Sequence, residues 1–219
     1  MRVDNSESSE SVMKWLDEEV VGGENGIVIY PNLQTFRQIY TKYVKDKLAK
    51  KVVEEEKEDD NNNSKGNGLS KPRIILIATF YETIDSVKHN LSAVGVKDIQ
   101  SLIHNGSLLI VDAFSSYYPD IEAMKKLVAS LSDRARKEGR VGVTAIIDMG
   151  FFFLFDGGGR ATELINYEGS LAPKTGGGKI KGFSCYHRGN YNTLKDSQKE
   201  ELAQKGKKVL EITESSTTS

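Results

Sequence analysis

One cysteine and three histidines in 219 residues are too few for an internal disulfide or a multi-cysteine zinc site. Long apolar runs are also missing. The richest stretches, near 74–80 and 151–155, fall far short of the ~20 residues that cross a bilayer. The opening residues 1–10 are polar and acidic, unlike a secretory or organelle leader. Net charge is nearly absent. With 30 Lys+Arg against 31 Asp+Glu, no whole-chain field draws nucleic acid or an anionic membrane. A cytoplasmic, reducing setting is the expectation. A chain of this length buries about 70 % of its unfolded surface, enough to fold without staples.

The neutral total conceals an asymmetry. Residues 1–60 carry a net charge of −5 and residues 174–208 a net of +6. These are solvated faces, or surfaces that meet each other or separate partners.

Residues 1–11 and 214–219 are expected to be disordered tails around a single domain, 12–213. Within it, 54–70 (EEEKEDDNNNSKGNGLS) is too polar to offset ordering entropy and reads as a disordered surface loop. The rest alternates strand and helix. Val12, Trp15, Leu16 and Val20 fit a short helix that Gly22-Gly23 ends. A strand follows at 26–30, then a helix from Asn32 to about Lys50 with Leu33, Phe36, Tyr40 and Val44 on one face. Further strands fall at 73–79, 107–111, 142–147, 180–185 and 208–212. Helices between them begin at Thr83, at Pro119-Asp120, near Gly158, and at a capping box of Ser197 with Glu200. The strands are apolar throughout rather than alternating. That predicts an α/β class: three layers, α-β-α, with a mainly parallel sheet covered on both faces.

Ligands of such sheets bind beyond the carboxyl ends of the strands. That rim carries Tyr30 and Pro31, then Phe80, Tyr81, Glu82 and Thr83, then Asp112, then Asp148 and Phe151, then Cys185, Tyr186 and His187. Aromatics with a few polar groups suit a small-molecule pocket. The structural alternatives are plain: Asp112 and Asp148 as caps of the following turns, and Phe151–Phe153 as core. Cys185 and His187, two residues apart, share one side of a strand. Without an orienting group or further ligands they make neither a catalytic pair nor a closed metal site, so no metal is expected.

A nucleotide-gripping loop needs glycines and a Lys-Ser/Thr between strand and helix. The first strand is followed instead by Pro31-Asn32-Leu33-Gln34-Thr35-Phe36. Thr175-Gly176-Gly177-Gly178-Lys179-Ile180 precedes a strand and ends in Ile, so it reads as a flexible loop. Asp156-Gly157-Gly158-Gly159-Arg160 offers at most a weak anion site.

The succession Gly26-Ile27-Val28-Ile29-Tyr30, Phe80-Tyr81-Glu82-Thr83, Gly106-Ser107-Leu108-Leu109-Ile110-Val111-Asp112, Asp148-Met149-Gly150 and Gly182-Phe183-Ser184-Cys185-Tyr186-His187 resembles the MEDS family. These are sensory domains named for methanogens, methylotrophs and the regulator DcmR, and the likeness spans roughly 12–213. They are similar in turn to RecA-like ATPases of the KaiC type. Glu82 falls where those enzymes carry a catalytic glutamate, and Asp148 where they carry a Walker B aspartate. The resemblance implies a RecA-like scaffold with a degenerate nucleotide site, acting in signal transduction by sensing a small organic ligand. No cofactor and no catalysis are expected. The ligand-binding residues implied are Tyr81, Glu82, Asp112, Asp148, Phe151, Cys185, Tyr186 and His187. Output would pass through a regulatory protein partner or a homodimer. Two alternatives stay open. One is residual nucleotide binding or ATPase-like chemistry using Glu82 and Asp148. The other is a protein- or nucleic-acid-interaction module using the basic segment 174–208 with Phe183, Tyr186 and Tyr191.

Overall fold

Runs such as Ile74–Thr79 and Gly142–Asp148 are aliphatic and β-branched at nearly every position, so both sides of each strand must be covered. The computed structural model meets this requirement, and every residue of both strands is buried. It describes residues 2–4, 9–58, 71–117, 121–154, 160–171, 179–206 and 208–213. Pro119-Asp120, residues 59–70, the glycine loops at 156–159 and 175–178, and the tail from 214 onward lie outside them.

The strands are β1 (Arg2–Asp4), β2 (Glu24–Tyr30), β3 (Ile74–Thr79), β4 (Leu108–Asp112), β5 (Gly142–Asp148), β6 (Lys179–His187) and β7 (Lys208–Thr213). They form one sheet in the order β1-β7-β2-β6-β5-β3-β4, and every described pairing is parallel. The helices are α1 (Ser9–Lys14), which runs into a π-turn at Trp15–Glu19, then α2 (Leu33–Glu58), α3 (Ile84–Ala93) and α4 (Ile99–His104). After β4 come α5 (Ala113–Tyr117), α6 (Ile121–Lys137), a 3₁₀ turn at Met149–Phe153, α7 (Ala161–Leu171), α8 (Arg188–Asn192) and α9 (Asp196–Lys205).

Connections from β1 through β4 step one way across the sheet, and those from β4 through β7 step back. A single crossover hand then puts the first set of helices on one face and the second set on the other. The two cores divide in this way. Trp15, Leu16, Phe36, Tyr40, Val87 and Leu91 cover one face, against Val28, Ile77, Ile146 and Phe183. Met124, Val128, Leu131, Leu164 and Leu202 cover the other, against Ile27, Leu76, Ala145 and Ile147. The three-layer α/β class is therefore as expected, and it fits a RecA-like scaffold. No helix among the described residues is long and apolar enough to cross a membrane.

Local details differ from the sequence reading, each for a physical reason. Arg2–Asp4 pairs with β7 as an edge strand instead of trailing as a tail. Helix α2 passes Lys50 and continues to Glu58, because the Lys- and Glu-rich segment that opens the expected loop is made of good helix formers. Helix α9 starts earlier than Ser197: the Lys195 amide is held by Gln198 Oε1 at 2.9 Å. The π-turn replaces regular helix near Trp15. There Lys181 Nζ donates to the carbonyls of Leu16 and Asp17 at 2.9 and 2.7 Å. Burial lowers that lysine's pKa to about 8.

Candidate functional site

The neighbouring strands β2, β6, β5 and β3 end at Tyr30, His187, Asp148 and Thr79. From β2 and β3 the chain leaves toward one face, and from β6 and β5 toward the other. Crevices open where adjacent exits diverge, which is where ligands of parallel sheets sit.

Side-chain alternation decides what reaches the crevice. Tyr30 and His187 are register partners, as are Asp148 and Cys185. Tyr30 stacks on Phe36 of α2 at 5.0 Å and meets the His187 ring edge-on at 5.6 Å. The His187 ring lies 6.1 Å from Tyr81, which in turn packs on Phe80 at 4.8 Å. These rings contact one another in succession, and Tyr30 and Tyr81 each also bond Asp148, through the hydroxyl and the backbone amide.

Asp148 is fully buried. Its Oδ1 accepts from the Gly150 amide at 3.0 Å and the Tyr30 hydroxyl at 3.4 Å, and its Oδ2 from the Tyr81 amide at 3.5 Å. Burial outweighs these donors and raises its pKa to about 6. Tyr81 lies across Gly150, where a Cβ would come within 2.4 Å of Phe80 Cδ1 and 2.8 Å of Tyr81 Cε2. Glycine at 150 is what lets these rings approach. Tyr81 is 42 % exposed, and its hydroxyl accepts from Asn190 Nδ2 at 2.5 Å.

Glu82 is adjacent in sequence but faces another way. Its Oε1 accepts from Arg37 Nε at 2.8 Å and Asn90 Nδ2 at 2.9 Å, and its Oε2 from Tyr40 OH at 3.2 Å. It ties the end of β3 to α2 and α3. Asp112 caps α5, accepting from the amides of Phe114 and Ser115 at 2.8 and 3.1 Å. Phe151 packs on Phe152 in the core on the α6–α7 side. Cys185 lies on the same side of β6 as Phe183, in the core under α2, and burial holds its thiol well above the usual range, far from a reactive thiolate. Tyr186 points to the opposite face. Of the candidate residues, the fold thus joins Tyr81, Asp148 and His187, with Tyr30 completing the group. Glu82 and Cys185 border it, and Asp112, Phe151 and Tyr186 serve elsewhere. Thr83 caps α3 by accepting from the Ser86 amide at 3.1 Å.

A second polar centre shares only Tyr186 with the candidates. Glu168 of α7 is fully buried over β2 and β6. It accepts from Tyr186 OH at 2.5 Å and from Asn25 Nδ2, which also donates to Ser184 Oγ at 3.1 Å. Burial raises the Glu168 pKa to about 7 against the pull of these donors. Asn25 Oδ1 is buried without a partner and abuts Gly182, where a Cβ would lie 2.4 Å away. The only sequence signals are polar Asn25 and Ser184 inside apolar strands. Among the described residues, no group of three or more His, Cys, Asp or Glu converges as metal ligands.

Neither a family model nor a curated protein sequence matches the chain.

Proposed function

We propose that the chain is a sensing module, of the MEDS type, that binds a small organic molecule at the carboxyl ends of its parallel strands and signals rather than catalyses. The observation that carries this reading is the convergence of Tyr30, Tyr81, Asp148 and His187 where strand exits diverge. Of the five large apolar side chains exposed among the described residues, Tyr81 follows β3, Phe114 follows β4 and Leu154 follows β5 at this end, while Val21 and Val141 precede strands at the other.

The junction of β2 and α2 argues against a phosphate as the ligand. Asn32 Oδ1 takes the Thr35 amide at 2.9 Å, and the Asn32 carbonyl takes the Phe36 amide at 3.3 Å. Asn32 thus holds within the chain the Thr35 amide, one of the first-turn donors that a phosphate would need.

A thermal-shift screen of small organic compounds against the full chain tests the proposal. A ligand at 100 times its Kd adds about 2.7 kcal/mol of stability. The expected result is a hit whose shift disappears in Asp148→Ala and Tyr81→Ala but persists in Asp112→Ala. A shift with Mg-ATP that Asp148→Ala abolishes, with none from organic compounds, overturns it in favour of a nucleotide binder.

A further inference from the structure

We infer that the ligand at this rim is a small organic cation, an alkylated ammonium held against Asp148 beneath Tyr81. The inference rests on the rim being a ligand site and specifies what that site selects.

The first observation is the state of Asp148. Glu82, its neighbour at the rim, is neutralised by Arg37 at 2.8 Å. Asp148 is as deeply buried, yet its partners are amides and a phenol, and among the described residues no Lys, Arg or His nitrogen pairs with it. A buried carboxylate with no counter-charge is an unfilled electrostatic position. Arg37 and Arg188 hold other partners, though the buried Arg188 Nε has none among the described residues. Arg37 is on Glu82, and Arg188 turns to the Ile212 carbonyl at 2.5 Å and to Glu211 at 3.6 Å.

The second observation is the wall. Tyr30, His187, Tyr81 and Phe80 form a series of rings on successive contacts of 5.6, 6.1 and 4.8 Å. Faces of aromatic rings attract cations, and more strongly once water is excluded. Rings offer few acceptors for N–H groups, so a bare ammonium would leave donors unsatisfied, whereas an alkylated one has few or none. A hard metal ion is also a poor fit, because it needs six or more oxygens and, among the described residues, no group of three His, Cys, Asp or Glu converges to supply them.

The third observation is access. Tyr81 is the exposed member of the series, and one hydrogen bond to Asn190 fixes its phenol. Glycine at 150 leaves room for its ring alone. Rotation of that side chain opens Asp148, and the ring can then close over a ligand of about its own size.

Tetramethylammonium chloride is the probe, titrated into the ¹⁵N-labelled full chain at constant ionic strength and read by chemical shift. Tert-butanol, similar in size and neutral, is the control. Tetramethylammonium is expected to move the Tyr81 and Gly150 amides saturably, at least tenfold more tightly than tert-butanol. Tyr81→Leu keeps an apolar side chain at an exposed position but removes the ring. It is expected to weaken the cation by about tenfold and to leave tert-butanol within twofold. Equal affinity for both probes, or rim shifts with tert-butanol alone, overturns the cation and leaves the rim reading standing. Rim shifts with tetramethylammonium that Tyr81→Leu does not weaken overturn it too. Silence from tetramethylammonium does the same, and the organic-compound and Mg-ATP screen then decides the rim reading separately.

Discussion

The Tyr186 hydroxyl donates to Glu168 Oε1 at 2.5 Å, with both residues buried between the sheet and α7. Asn25 donates to the other carboxylate oxygen, so one side chain of α7 satisfies groups from β6 and β2 together. Removing the acceptor leaves both donors in the interior. Glu168→Ala is expected to lose about 2–6 kcal/mol, roughly 1–3 for each of the two buried donors left without an acceptor. Tyr186→Phe removes one donor and keeps the ring, so its loss is smaller, about 1–3 kcal/mol. Glu168→Gln keeps the shape and should fall between wild type and alanine. Urea unfolding measures all three. Equal midpoints for Glu168→Ala and wild type would show that the network does not hold α7 to the sheet.

The same carboxyl gives stability a pH dependence. Glu168 rises from 4.5 to about 7 on folding, and Asp148 from 3.8 to about 6. Between these limits the folded chain binds more protons than the unfolded one, so stability falls as pH rises. The contribution of Glu168 is complete below about pH 4.5 and is lost by about pH 7; that of Asp148 is lost between about pH 4 and 6. At 1.36 kcal/mol per unit, the swing from Glu168 is on the order of 3 kcal/mol. The midpoint of chemical unfolding, followed from pH 5 to 7.5, is expected to fall, and to fall less in Glu168→Gln. An identical slope in the variant would remove Glu168 as the cause.

What could be read in advance follows from what is local. A strand buried on both faces shows as an unbroken aliphatic run, and a helix end shows as a cap or a glycine. Thr83 holds the Ser86 amide, and Gly95 and Gly139 take φ of +89 and +70 at helix ends. The three residues of β1 carry no such pattern, because their strand exists only by pairing with β7. At the site, the ends of the strands were legible but their facing was not. Asp112 and Asp148 both end apolar runs. Asp112 lies on an outer strand and caps a helix, whereas Asp148 lies between central strands and meets Tyr30 and Tyr81. Only the strand order separates them. Glu168 was out of reach for the same reason, since its partner Asn25 lies 143 residues away in sequence.

Arg37 and Glu82 hold the loop that presents Tyr81, and their burial is unequal. The Glu82 side chain is 1 % exposed, while that of Arg37 is 44 % exposed. Water therefore screens one end of the pair but cannot replace the arginine at the other. Arg37→Met is expected to lose about 1–3 kcal/mol, less than a fully buried pair because Tyr40 and Asn90 still donate to the carboxylate. Glu82→Gln removes the charge that needs compensation, so the two losses should not add. A double-mutant cycle by urea unfolding is expected to give a coupling of about 1 kcal/mol or more. A coupling under about 0.3 kcal/mol would mean that the neutral donors alone fix Glu82. The loop before α3 would then be held by Thr79, whose hydroxyl contacts the Glu82 amide and carbonyl at 3.3 and 3.2 Å.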